Sequence, residues 1–176
     1  MQKTAGHSVS PTAKWRYELS RWIFIGCGIW LVGLGFYFSF FRPALLPEDL
    51  RSMGTTLTQA RAALPGLESW LQKVFVVMGA FMAGTGVLTT FVAASVLRMR
   101  LKGASWVLAL SGSSTVATMS AVNFAIQSDF RWLLVAPVVI WFAGLVLYIG
   151  SLGRSTEARA GAERDTALDH TGSNQR

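Results

Sequence analysis

The sequence predicts an all-α, polytopic membrane protein: a four-transmembrane-helix bundle with a short helical cap outside. Three observations carry that expectation. Residues 22–41, 74–97, 103–128 and 132–153 each run for twenty or more positions without a charged side chain, enough to cross a hydrocarbon core of about 30 Å. Charged residues make up only 14% of the chain, against about 25% in soluble domains, and they gather in the connections and termini. A charge at the centre of a spanning helix costs about 2.5–3.5 kcal/mol, which explains that segregation. Small residues recur within the runs at helical spacing, as helices that approach closely in lipid require. Four spans in 176 residues leave no room for a second domain.

Residues 1–14 read as a disordered N-terminus. The first span follows, and it pairs Gly26 with Gly33 and Gly28 with Gly35, each pair seven apart and so on one face. It is too long for a typical signal peptide and has no small-x-small cleavage site, so it should stay as an anchor. Cys27, the single cysteine, lies inside it. It can form no intramolecular disulfide, and no Cys/His spacing suits a metal.

The outer connection, residues 42–73, should fold as a cap. Pro47 followed by Glu48 and Asp49 matches a helix start, and Gly54 is a natural stop. Thr56 and Gln59 have the spacing of a capping box that opens a second short helix, which Pro65-Gly66 ends. Leu50, Met53, Leu57 and Leu64 would then meet headgroups or the helix ends.

Span two carries Gly79, Ala83 and Gly86 as a helix-packing face. In span three, Ser105, Ala109, Ser113, Ala117, Ala121 and Ala125 recur every fourth residue, a small-residue ridge that predicts the most enclosed helix of the four. Pro137, about one turn into span four, removes a backbone donor and predicts a kink. Residues 154–176 read as a polar tail, largely disordered.

Eleven Lys and Arg fall on the side of the termini and five on the other, so the positive-inside rule places both termini in the cytoplasm. Trp22 and Trp106 fall at the expected inner boundary, and Trp70 and Trp132 at the outer one, where amphipathic indoles settle. Trp30 and Trp141 lie deeper and read as packing residues. The net charge of +7 punctuates apolar runs instead of forming a stripe, which argues against nucleic acid as a partner.

No Asp, Glu, Lys, Arg or His lies within a span, so the ionisable groups that mark proton relays and ion paths are missing. Small four-helix multidrug exporters depend on a membrane-embedded glutamate. Thiol oxidoreductases need paired cysteines, and a bis-histidine haem needs two buried histidines, whereas His7 and His170 lie in the tails. Ser113 and Ser114 have no histidine base. No catalytic residue, cofactor or metal is therefore expected.

The remaining polar residues converge outside. Arg42, Glu48, Asp49 and Arg51 lie in the cap, Asn123 and Gln127 share a face at the outer end of span three, and Asp129 and Arg131 occupy the next turn. They either cap helix ends and hold the connection down, or form a site for a polar ligand, lipid headgroup or protein partner.

The run Leu46-Pro47-Glu48-Asp49-Leu50-Arg51 with Met53-Gly54, then Trp70-Leu71, Val74-Phe75, Gly79 to Gly86, Asn123-Phe124 and Ser128-Asp129-Phe130-Arg131-Trp132 resembles a family of small, uncharacterised bacterial four-helix integral membrane proteins. The resemblance covers residues 42–148 and implies a fold and a bacterial inner-membrane location, but no reaction. The leading expectation is a non-enzymatic inner-membrane protein that binds a partner protein, a lipid or a second copy of itself. The alternative is an oligomeric small-solute permease or channel with its path between protomers.

Overall fold

A computed structural model describes residues 11–99, 101 and 103–153. The first ten residues and the polar tail from 154 onward, both expected to be disordered, lie outside the described residues. Among the described residues every regular element is helical. Helix α1 spans Pro11–Phe36 and runs on through a π turn, Tyr37–Phe41. Two short helices follow, α2 (Pro47–Met53) and α3 (Leu57–Ala63). Helix α4 (Leu67–Phe91) continues through a π turn, Val92–Val96, and a 3-10 turn, Leu97–Met99. Helices α5 (Ala104–Gly112) and α6 (Thr118–Ala125) are joined by the π turn Ser113–Ala117 into one span. Helix α7 is Val135–Gly153. Four of these helical stretches are long and apolar enough to cross a membrane: Lys14–Phe41, Leu67–Met99, Ala104–Ala125 and Val135–Gly153.

The cap follows its sequence signals closely. Pro47 opens α2, where its missing N–H is no loss. The Leu46 amide donates to Asp49 Oδ2 at 2.9 Å. Gly54 ends the helix at φ 66°, a left-handed conformation that other residues adopt at a cost. Thr56 and Gln59 form the reciprocal capping box of α3, with bonds of 3.1 and 3.3 Å.

Helix starts differ from the apolar runs by more than one residue at three places. Helix α1 begins at Pro11, inside the stretch expected to be disordered, and Tyr17 and Ser20 on its early turns are buried. Helix α4 begins at Leu67, two turns ahead of its run. Helix α7 begins only at Val135, because residues 129–134 form turns. Pro137 therefore sits in the first turn, where a backbone N–H has no intrahelical acceptor, and the expected kink has no lost bond to cause it.

Backbone contact between α1 and α4 forms the tightest seam. Gly28 meets Gly86, and Gly35 meets Gly79 and Ala83. The order reverses between the two helices, so they run antiparallel. A methyl group at Gly35 would lie 2.5 Å from the Gly79 carbonyl oxygen, and one at Gly86 2.5 Å from that of Gly28. Of the two glycine pairs in span one, the fold buries Gly28 and Gly35. Gly26 and Gly33 face open space.

On its other side α1 packs on α7, where Ile23 and Phe24 lie against Gly144 and Arg16 approaches Gly150. The start of α1 and the end of α7 thus share one end of the bundle, called here the terminal end; α2 and α3 mark the cap end. Trp141 of α7 is fully buried, edge-on to Phe24 with ring centroids 5.4 Å apart. Its indole N–H donates to the Leu108 carbonyl at 2.9 Å, and it lies on Gly112. Phe24, Leu31, Leu97, Leu108, Val116, Trp141, Leu145 and Tyr148 join one core across all four spans.

The expectation that span three is the most enclosed is overturned. Its apolar stretch is 22% buried, against 28% for the first and fourth spans and 17% for the second. The buried row is Ala104, Leu108, Gly112, Val116 and Ser120, one position off the expected ridge and so rotated by about 100°. Within that ridge Ser105, Ala109 and Ala117 are half-buried, and Ser113, Ala121 and Ala125 are exposed. A period of four drifts by about 40° per step in a straight α-helix. The wider π turn at Ser113–Ala117 takes back part of that drift, which keeps the buried row on one face.

Trp22, Trp70, Trp106 and Trp132 all stand exposed on the bundle surface, two toward each end. Of the two deeper tryptophans only Trp141 is a packing residue; Trp30 is 36% exposed.

Candidate functional site

The cap end gathers five of the eight polar residues singled out from the sequence, and each has a task. The end of α1 turns at Arg42, whose guanidinium lies 3.9 Å from the Phe75 ring centroid and 5.3 Å from that of Phe38. The same group pairs with Asp49 at 3.3 Å, and both side chains are largely covered. Asp49 thereby joins the end of α1 to the first turn of α2, while it also caps that helix. Arg42 and Asp49 form a buckle.

Two further contacts tie α2 to the turn between α6 and α7. Glu48 is 5% exposed and accepts a hydrogen bond from Ser128 Oγ at 3.2 Å. Arg51 Nη2 approaches both oxygens of Asp129, at 3.1 and 3.4 Å. This second pair is open to solvent, with side chains 58% and 65% exposed. The first is buried, where leaving a hydrogen bond unmade is costly. The second belongs to a class that contributes little. Arg61 and Glu68 form a third pair at 3.0 Å, between α3 and the start of α4.

Three of the expected residues do not join the cluster. Asn123 bonds back along its own helix to the Met119 carbonyl at 2.9 Å. Gln127 is exposed at φ 53°, where it ends α6 in a left-handed conformation. Arg131 is half-buried and makes no ion pair with a described residue.

Ser128, absent from the sequence-derived set, is the pivot of the turn. It is 1% exposed, donates to Glu48, and accepts from the Phe130 amide at 3.2 Å. A serine bonding two residues ahead is a recognised turn device, and that signal was present in Ser128-Asp129-Phe130. Phe38 was also legible, four residues before Arg42 and so on the same helical face.

The small-residue faces divide. Gly79, Ala83 and Gly86 form the α1–α4 seam. On span three Ser113, Ser114, Thr118, Ala121 and Ala125 are exposed on the bundle surface. The hydroxyls there bond to the helix itself: Ser114 to the Leu110 carbonyl at 2.8 Å, Thr115 to Ser111 at 2.6 Å, and Thr118 to Ser113 at 2.8 Å. They donate to carbonyls loosened by the π turn.

No group of three or more His, Cys, Asp or Glu side chains suited to a metal ion occurs among the described residues. No family model, curated protein or solved structure matches the chain.

Proposed function

We propose that the chain is a non-enzymatic membrane protein that binds a helix of a second membrane protein through the exposed small-residue face of span three. One observation carries this reading: Ser113, Ala121 and Ala125 stand outward, whereas the polar groups of the cap are largely occupied with one another. Small residues on a lipid-facing helix let another backbone approach closely. The bacterial inner membrane, with both termini in the cytoplasm, is part of the same proposal. It rests on the eleven-to-five imbalance of Lys and Arg and on the resemblance to small bacterial four-helix proteins.

A photo-crosslinker placed at Ala117, with one at Gly33 on the exposed face of span one as the control, tests it in membranes. The expected result is one discrete adduct from Ala117 and none from Gly33, lost when Ala121 is exchanged for Leu. Crosslinks to lipid alone from both positions would overturn the reading. The exposed hydroxyls Ser113, Ser114 and Thr118 favour a second reading, an oligomeric small-solute permease whose path lies between copies. Solute flux in proteoliposomes, abolished by Ser113→Leu, would select it.

A further inference from the structure

Among the described residues the ion pairs at the cap end leave Lys73 and Arg131 over, and of these two only Lys73 is exposed. Each carboxylate there has a partner: Glu48 has Ser128, Asp49 has Arg42, Glu68 has Arg61 and Asp129 has Arg51. Lys73, on the second turn of α4, is exposed and makes no ion pair with a described residue. It stands at the cap end of a shallow, open surface groove lined by Val74, Val77, Met78 and Phe81.

Those positions follow Lys73 by one, four, five and eight residues, so they line a single face of α4. From Lys73 to Phe81 the helix rises about 12 Å, toward the middle of the span. Helix α4 also belongs to the least enclosed span, with 17% of its apolar stretch buried. Trp70 lies one turn beyond Lys73 and is exposed, at the depth where indoles meet headgroups. Arg42, stacked on Phe75, marks the same level.

We propose that this groove holds one acyl chain of an anionic phospholipid whose phosphate is bound by the Lys73 ammonium. The apolar wall suits a chain, and the flexible lysine stem lets the charge reach headgroup level. A zwitterionic lipid neutralises its own phosphate, whereas an anionic one leaves a net charge for the lysine. The site lies on a different helix from the span-three face and stands independently of the partner reading.

Native mass spectrometry of the full chain in mild detergent, titrated with phosphatidylglycerol or phosphatidylcholine of identical chains, tests it. The first phosphatidylglycerol should bind about fivefold tighter than phosphatidylcholine, the factor that one lysine near a charged surface supplies. Lys73→Gln should bring that ratio close to one, while Arg98→Gln at the terminal end leaves it in place. Val77→Trp, which fills the groove, should weaken both lipids alike. Equal binding of the two lipids by the native chain would overturn the proposal, as would a ratio that survives Lys73→Gln. A dimer dissociated by Val77→Trp would also overturn it, since a second copy would then cover the groove.

Discussion

Gly79 and Gly86 of α4 rest against the α1 backbone, whereas Ser113, Ala121 and Ala125 of span three stand on the bundle surface. Both rows are small residues at helical spacing, and the second is the longer. The difference teaches that small side chains permit close approach without choosing who approaches. The α4 row found a complementary row, Gly28 and Gly35, with the same seven-residue spacing. The span-three row has no counterpart of that kind. Inside the chain, the neighbouring row of span three is used instead, because Trp141 needs the flat surface of Gly112 and the carbonyl of Leu108.

That contrast can be broken most sharply by Gly79→Leu. A side chain there must enter the space of the Gly35 carbonyl, and overpacking against backbone should cost about 3 kcal/mol or more. Ala121→Leu on the surface row should change the stability of the isolated chain by less than about 0.5 kcal/mol. Reversible unfolding in mixed micelles reads both, and similar costs would erase the distinction between the rows.

The cap offers the same comparison among polar contacts. Glu48→Ala leaves Ser128 buried without its carboxylate and should destabilise by about 1.5–3 kcal/mol. Trp141→Phe keeps most of the ring packing but removes the bond to Leu108, at a cost of about 0.6–1.7 kcal/mol for interhelical bonds in membranes. Arg51→Ala breaks only the exposed pair with Asp129, worth about 0.2–1 kcal/mol. The same unfolding series orders the three. An Arg51→Ala effect as large as that of Glu48→Ala would mean that the outer pair is shielded, as a bound partner would shield it.

Much of the fold was legible because lipid imposes strict rules on residue type. Charge-free runs, Pro47, Gly54 and the Thr56–Gln59 pair each correspond to an observed element. The boundaries slipped where helices outrun their apolar segments, at Pro11 and Leu67. The polar cluster was legible as a neighbourhood but not as a set of contacts. Arg42 needs Phe75 from α4, and Glu48 needs Ser128 eighty residues away. Asn123 and Gln127 look alike on a helical wheel, yet one bonds to its own helix and the other ends it.

Four spans, a capped connection of two short helices and the confinement of charge to their ends can be read from residue order alone. Those features follow from hydrophobicity and local backbone chemistry, which each residue carries wherever it goes. Which glycines touch, which row of span three is buried and which exposed cation of the cap end has no carboxylate partner among the described residues emerge only from the packed bundle. These depend on the rotation of one helix against another. One residue of offset turns a row by about 100°, and π turns shift that phase further.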